Sequence, residues 1–211
     1  MKRIITTACF AVFISCKKEH IAAPGSEGSP GKNTAVKKDS TGQSGPLRNI
    51  ADIKEEFAVL NAKLQSKQLD SSGFTYECAE TSGEAGFYYE GGQLSVIKHF
   101  TADSHFSSVT RYYLKNDEIF FILKEDAVWS FDGGTAEKPV TKDDISQQRV
   151  YLVEGSPVKC LEKEFTLRSA GSNPDPEKIP NREIDCNVQK LMKDYLRVLK
   201  NIDKKDRIDC I

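Results

Sequence analysis

The sequence has little that marks a membrane-spanning or nucleic-acid-binding protein. Among 211 residues, 30 Lys and Arg nearly balance 31 Asp and Glu, which leaves a net charge of −1. A broad nucleic-acid-binding surface needs clustered positive charge, so no nucleic-acid partner is expected. No apolar run approaches the roughly 20 residues of a bilayer-spanning helix. These absences predict a folded domain of ordinary composition.

Common catalytic and cofactor motifs are also missing. The sequence contains no GxSxG, HExxH, phosphate-binding glycine loop or calcium loop. It has six cysteines, but none has the CxxC or CxH spacing that is typical of zinc sites. We therefore expect no cofactor, no metal and no enzymatic activity.

The first 15 residues have the composition of a secretion signal. Lys2 and Arg3 precede an uncharged run at 4–15, which as a helix is about 18 Å long and too short to cross a bilayer. The run ends in Phe-Ile-Ser-Cys at 13–16, which resembles a bacterial lipobox and is similar to the lipoproteins of Bacteroidota. The resemblance implies that Cys16 begins the mature chain and carries the lipid. The alternative is an incidental cysteine beside a conventional signal or an uncleaved anchor.

A flexible tether is predicted to follow the signal. Residues 16–48 are rich in Gly, Ser, Pro and Lys and have few large aliphatic side chains, so they bury too little surface to offset their ordering entropy. A coil of this length reaches about 30 Å. Acyl chains such as palmitate add about 0.8 kcal/mol of membrane binding per buried methylene. We expect a protein anchored to a bacterial membrane, with the outer membrane favoured, on its periplasmic or surface side.

Residues 49–211 are predicted to form one α+β domain. At 50–69 apolar residues recur every three or four positions, which indicates an amphipathic helix capped by Asn49. A second amphipathic helix is expected from Ile184 to about Asn201. Between the helices lie β-type segments at 74–79, 86–89, 93–100, 106–114, 118–124, 127–131, 148–153 and 158–167. The short connections predict an antiparallel meander of seven or eight strands, flanked by the two helices.

Turn residues separate the predicted strands. The segment from Ile119 to Leu123 is apolar at every position, which is typical of a central strand that is covered on both faces. The clearest breaks between strands contain Gly, Asn or Asp, which favour tight turns. They lie at Glu90–Gly92, Lys115–Asp117, Asp132–Gly134 and Glu154–Pro157.

Four cysteines remain in the predicted domain, and an even number in an exported chain indicates two disulfides. They are Cys78, Cys160, Cys186 and Cys210. Three connectivities are possible. We expect Cys78–Cys160 within the sheet and Cys186–Cys210 between the last helix and the tail. Free thiols are the alternative.

Two groups of polar residues keep an envelope hydrolase open as an alternative function. His99 and His105 flank Asp103 in one predicted turn, where they form either a metal or catalytic group or a solvated turn. A second group has only carboxylates, the residue type that glycosidases use in pairs. Its members are Glu77, Glu80, Glu84 and Glu90.

A short motif keeps a lysozyme inhibitor open as another alternative. Residues 72–76 read Ser-Gly-Phe-Thr-Tyr, which resembles the SGxxY pattern of the periplasmic lysozyme inhibitors of the MliC/PliC type. The resemblance implies an exposed loop in which Ser72 and Tyr76 enter the lysozyme cleft. That family places the pattern after its first cysteine, whereas here the pattern ends two residues before Cys78.

Aromatic residues in the strands indicate either cross-strand packing or a sugar- or peptide-binding face. They are Tyr88, Tyr112, Trp129 and Tyr151. Together with the anchor, they favour a non-catalytic binding or assembly protein of the cell envelope. Its expected partners are the membrane, through the lipid anchor, and an envelope protein or glycan.

Overall fold

A meander of consecutive strands organises residues 45–211, the part of the chain that the computed structural model describes. The predicted signal peptide, Cys16 and the predicted tether up to residue 44 lie outside these residues. The helices are α1 (Ile50–Gln65), α2 (Gln189–Leu199) and a short 3-10 turn at Pro176–Lys178. The strands are β1 (Asp70–Cys78), β2 (Thr81–Glu90), β3 (Gln93–Ala102), β4 (Phe106–Lys115), β5 (Glu118–Gly134), β6 (Pro139–Val153), β7 (Ser156–Arg168), β8 (Arg182–Glu183) and β9 (Asp206–Ile208).

Nine strands form one mostly antiparallel sheet in the order β8-β7-β6-β5-β4-β3-β2-β1-β9. Strands β1 to β7 pair with their neighbours in chain order, while β9 joins the outer edge of β1 in parallel. The α+β class and the meander are therefore confirmed, with nine strands rather than seven or eight. The two short edge strands, β8 and β9, have too few residues to leave a pattern in the sequence. Neither helix within residues 45–211 has the length and hydropathy to cross a membrane.

The N-terminal end of α1 is capped as predicted. The Asn49 side-chain oxygen accepts hydrogen bonds from the backbone N–H groups of Ala51 and Asp52, at 2.8 and 3.1 Å. The Asp52 carboxylate in turn accepts from the Asn49 amide. A cap of this kind contributes about 1 kcal/mol because it satisfies N–H groups that have no partner inside the helix.

Three of the four predicted turns are two-residue hairpin loops. At each of them both central residues have positive φ, which matches the twist of the flanking strands and favours Gly, Asn and Asp. The pairs are Gly91 and Gly92, Asn116 and Asp117, and Glu154 and Gly155.

The fourth predicted turn, at Asp132–Gly134, lies within a strand. The segments predicted at 118–124 and 127–131 are one strand, β5, which continues through a bulge at Asp132 to Gly134. The turn is at residues 135–138, and β6 begins at Pro139. This first half of β6 is rich in polar residues, so it lacks the apolar alternation by which a strand is recognised.

Adjacent tyrosines in β4 contact different helices. The Tyr112 hydroxyl donates to the backbone oxygen of Leu191 in α2, and the Tyr113 hydroxyl donates to the side-chain oxygen of Asn61 in α1, both at 3.0 Å. Successive residues of a strand point to opposite faces of the sheet. Both tyrosine side chains are fully buried, so each face of the sheet is covered at this point.

The core consists of two clusters. Leu191, Tyr195 and Val198 of α2 belong to a cluster whose sheet residues include Phe87, Ile97, Tyr112, Ile122 and Val150. Ile53 and Leu60 of α1 belong to the other, with Val96, Tyr113, Phe121 and Tyr151. Since each large apolar side chain stabilises the fold by about 1.5–3 kcal/mol when it is buried, these clusters supply most of the favourable free energy.

Helix α2 begins later than the sequence predicts. The chain from residue 182 first follows the edge of β7, where Arg182 and Glu183 pair with Glu162 and Leu161. The backbone N–H of Ile184 then donates to the Cys160 carbonyl. Because these backbone groups are bonded to β7, residues 182–184 are not available to the helix.

All four cysteines of the domain form disulfides, but the predicted connectivity is wrong. The bonds are Cys78–Cys210 and Cys160–Cys186, with Cα atoms 4.7 and 5.3 Å apart. The predicted Cys78–Cys160 bond would join β1 to β7, which are six strands apart in the sheet. At about 4.8 Å per strand that separation is near 29 Å, whereas a disulfide requires Cα atoms within about 7 Å.

The short edge strands explain the observed pairs. Tyr76 is paired with Ile208 in the parallel β1–β9 ladder. Because the two strands run in the same direction, Cys78 and Cys210, each two residues after its paired residue, come together. On the other edge, Leu161 is paired with Glu183, which brings the chain after β8 beside Cys160. Each disulfide thus fastens an edge strand of two or three residues to the sheet.

The two disulfides are expected to differ in how much they stabilise the domain. Cys78–Cys210 closes a loop of 132 residues and Cys160–Cys186 one of 26. Loop-closure entropy predicts losses of about 5 and about 3.5 kcal/mol when the respective pairs are replaced by Ala. Urea unfolding of the two double variants measures the losses, and mass spectrometry of an unreduced digest identifies the bonds. A peptide that links Cys78 to Cys160 would contradict the assigned pairs.

Candidate functional site

A buried chain of polar side chains connects four elements on the α2 face of the sheet. His99 in β3 is 4% exposed, and its Nδ1 lies 2.8 Å from the Asp194 carboxylate of α2. Its Nε2 lies 2.7 Å from the hydroxyl oxygen of Tyr76 in β1. The Tyr112 hydroxyl of β4 donates to the same Asp194 oxygen at 3.0 Å. We call these four residues the polar network.

Asp194 is the charged centre of the polar network. Burial disfavours its ionised form, but the hydrogen bonds and charges of His99 and Arg197 outweigh burial and lower the pKa of the carboxyl below its usual value. The ionised carboxylate accepts hydrogen bonds from His99 Nδ1 and from the Tyr112 hydroxyl, while His99 Nε2 and the Tyr76 hydroxyl share a hydrogen bond. Burial also raises the pKa of Tyr76 and of Tyr112, so both hydroxyls keep their protons.

A glycine makes the contact between Tyr76 and His99 possible. The Tyr76 ring crosses Gly83 of β2 on its way to β3, and a Cβ at position 83 would lie 2.1 Å from a ring atom. No other residue type fits beneath the ring without moving it. The hydrogen-bonded series Tyr76–His99–Asp194 resembles a proton relay, but Tyr76 and His99 are both at most 4% exposed. The polar network therefore holds α2 on the sheet and keeps the Tyr76 hydroxyl and the His99 imidazole inside the domain.

The SGxxY residues lie in a strand. Ser72 and Tyr76 both belong to β1, where Ser72 pairs with Phe87 and Tyr76 with Gly83. The Ser72 hydroxyl is 3.4 Å from that of Tyr89, and the Tyr76 hydroxyl is engaged with His99. Their side chains therefore make contacts inside the domain.

The predicted His and Glu groups are dispersed. His105 packs against Trp129 with ring centroids 4.5 Å apart and the ring planes tilted by 40°, and Asp103 accepts from the backbone N–H groups of His105 and Phe106, so neither joins His99. Glu77 forms an ion pair with Arg207. Residues 45–211 contain no group of three His, Cys, Asp or Glu side chains with the geometry of a metal site.

The aromatic residues divide between core and surface. Tyr112 and Tyr151 are at most 3% exposed and belong to the core, so they cannot line a binding face. Tyr88 and Trp129 are half-buried. Of the four, Trp129 lies beside the most exposed aromatic side chain of residues 45–211, Phe131, which is 68% exposed.

Trp129 and Phe131 belong to a hairpin that projects past the neighbouring strand. The β4–β5 ladder ends at Phe106 and Val128, while β5 and β6 remain paired from there to Gly134 and Pro139. We call residues 129–143 the arm. Trp129 and Phe131 share one face of it, because they are two residues apart in the strand.

Contacts at its base fix the orientation of the arm. The Trp129 indole N–H donates to the Ser104 carbonyl at 2.8 Å, and the Trp129 backbone N–H donates to the His105 carbonyl at 3.0 Å. Near the tip, the Arg168 Nε of β7 lies 2.7 Å from an Asp132 carboxylate oxygen. These contacts fix the arm against the rest of the domain, and Phe131 is exposed to solvent at a defined position.

The rings of Trp129 and Phe131 meet edge to face, with centroids 5.6 Å apart and an angle of 84° between their planes. The two rings therefore form a protruding apolar surface and not a single flat aromatic face. Phe131 is the residue that the sequence reasoning missed. The signal was present, since Phe131 follows Trp129 by two positions in the predicted strand at 127–131, but the expected turn at Asp132–Gly134 placed Phe131 at the end of a strand rather than on a projecting hairpin.

The polar network is expected to make stability depend on pH through Asp194. Because its folded pKa lies below the usual value of 3.8, its contribution is complete above that pH and is lost as pH falls through the folded pKa. Asp194→Asn should cost about 1–3 kcal/mol at pH 7 and much less at pH 2. Urea unfolding at both pH values measures this difference. Asp203→Asn, an exposed carboxylate in the turn after α2, is the control, and equal losses for the two variants would disprove the assignment.

The chain has no significant similarity to known proteins. No protein-family model matches the chain, and no curated protein or solved structure is significantly similar to it. The buried polar network and the exposed arm therefore carry the functional interpretation by their own geometry. Of the two, the arm presents the more exposed side chain, because Phe131 is 68% exposed.

Proposed function

We propose that this chain is a lipid-anchored protein of the bacterial cell envelope whose domain binds another envelope protein through the arm. The anchor is Cys16, and residues 16–48 act as a flexible tether. Two amphipathic helices flank the sheet and leave the arm uncovered. The observation that carries the proposal is the 68% exposure of Phe131 on a hairpin held by Trp129 and Arg168.

Several properties of the arm favour a protein partner over a glycan. Trp and other aromatic residues dominate the binding free energy of many protein interfaces, where they fill apolar pockets. Phe131 carries no polar atom that would hydrogen-bond to a sugar hydroxyl. The perpendicular arrangement of its ring against Trp129 also lacks the flat face on which a sugar ring stacks. A protein pocket that receives Phe131 fits both features.

The position of His99 supports a binding role over catalysis. Among residues 45–211 it is the histidine whose ring pairs with a carboxylate, and it is buried. The two disulfides fit an oxidising compartment, where such bonds persist. Both observations agree with an exported, non-catalytic protein.

Replacement of the anchoring sulfur is expected to release the protein. Cells that express the full chain should incorporate radiolabelled palmitate into it, and Cys16→Ser should abolish the label and move the protein from the membrane fraction to the soluble envelope fraction. Cys9→Ser, within the signal segment, is the matched control. Label that persists in the Cys16→Ser variant, or membrane attachment as firm as before, would refute the anchor.

The arm is expected to contact its partner directly. A photo-reactive phenylalanine analogue at position 131 should capture one discrete protein in growing cells. The same analogue at Val59, an exposed apolar position in α1, should not capture it. Trp129→Ser in the 131 background should reduce capture about tenfold or more, because it removes the side chain that supports Phe131. Equal capture from positions 131 and 59, or none, would contradict the proposed surface.

A further inference from the structure

An open groove lies between the C-terminal end of α1 and strands β1 to β4. It has about 1030 Å³ of space, part of it open to solvent. Its charged lining side chains are all cations, namely Lys67, Lys98 and Arg111. The hydroxyl residues Ser71 and Tyr88 also line it. We call it the cationic groove.

The three cations have no carboxylate partner within residues 45–211. None of them takes part in the ion pairs there, whereas Lys63 and Lys115 nearby pair with glutamates. Lys98 and Arg111 are directly opposed in the β3–β4 ladder, and both are half-buried. Like charges directly opposite each other destabilise a sheet. No ion pair within the described residues neutralises this opposition.

Lys67 adds a second unfavourable feature to the groove. It follows the C-terminal end of α1 with φ of 55°, a left-handed conformation that usually selects Gly or Asn. The carbonyls of Lys63 and Leu64 accept from the backbone N–H groups of Gln68 and Lys67, so the helix end is already satisfied. A lysine at this position adds positive charge to the groove at a conformational cost.

The Tyr88 hydroxyl is positioned as a donor in the same groove. Its ring lies against Gly86, where a Cβ would come within 3.0 Å of the hydroxyl oxygen. Gly86 is paired with Lys98, so the hydroxyl lies near the two opposed cations. Burial and the charge of Glu84 raise the pKa of Tyr88 despite the opposing charge of Arg111, so the hydroxyl stays protonated. Glu84 is the nearby acid, and it forms no ion pair.

We propose that the cationic groove binds the phosphoryl group of a ligand larger than inorganic phosphate. Arg111 offers a planar pair of donors that matches two phosphoryl oxygens, and Lys98 supplies a point charge beside it. Tyr88 donates a further hydrogen bond. Leu64 and Leu69 give the groove an apolar wall for the rest of the ligand. The bound anion relieves the repulsion between the opposed cations.

The phosphoryl group can belong to a soluble phosphate ester or to a lipid headgroup, and the test separates these sources. The probes are pyrophosphate, glucose 1-phosphate, and vesicles of phosphatidylcholine with or without phosphatidylglycerol. The protein is the full chain with Cys16→Ser, so that no lipid anchor contributes. Calorimetry measures the soluble probes, and co-sedimentation compares the two vesicle types.

Lys98→Met and Arg111→Met should each weaken binding of whichever phosphoryl probe the groove accepts by about tenfold or more. Lys54→Met removes the same charge from an exposed site on α1 and should leave binding unchanged. Without ligand, Lys98→Met should melt at the same temperature as the parent or higher, because it removes the repulsion. That melting test shows that the weaker binding does not come from misfolding.

Either source supports the proposed groove. Binding of the soluble probes assigns a phosphate ester, and a preference for the phosphatidylglycerol vesicles alone, lost in Lys98→Met, assigns a lipid headgroup. Three results would overturn the proposal. They are no saturable binding to any phosphoryl probe, equal affinity in Lys98→Met and Lys54→Met, or equally tight binding of glucuronate, which serves as the carboxylate control for glucose 1-phosphate. The arm variants leave this binding unchanged, so failure of the arm proposal does not affect it.

Discussion

The register between β4 and its neighbours is the constraint on which the rest of this domain depends. Tyr112 and Tyr113 are adjacent in the chain, yet one hydroxyl is bonded to α2 and the other to α1. A slip of one residue would exchange the two faces of the sheet and break both bonds. The same alternation places His99 on the α2 face and Lys98 on the α1 face. The polar network and the cationic groove thus both depend on the pairing of β3 with β4.

Disulfide bonds attach the two edge strands to the sheet. Strands β8 and β9 have only two and three residues, too few to stay paired by backbone hydrogen bonds alone. The disulfides hold them against β7 and β1. Short edge strands limit the pairing of a sheet with the strands of other molecules. The arm and the cationic groove are the two exposed surfaces on which we place the binding roles.

Much of the fold could be predicted because it rests on local signals. The cap at Asn49 and the three two-residue turns depend on residues next to each other in the chain, and all were predicted correctly. The apolar run at Ile119–Leu123 indicated a central strand, and β5 is one. The polar first half of β6 was missed because its solvated side chains do not alternate with apolar ones. The turn at Asp132–Gly134 was misplaced because a bulge uses the same residues as a turn.

The amino-acid sequence by itself determined the α+β class, the order of the strands and the number of cysteines available for disulfides, since each follows from periodicity or counting. Only the tertiary structure decided which cysteines meet, because that depends on edge strands too short to recognise. It also decided that Tyr76 and His99 join Asp194, which is 95 residues from His99 in the chain. No local pattern records such a contact. The exposure of Phe131 and the meeting of Lys98 with Arg111 have the same origin, because both depend on strand register.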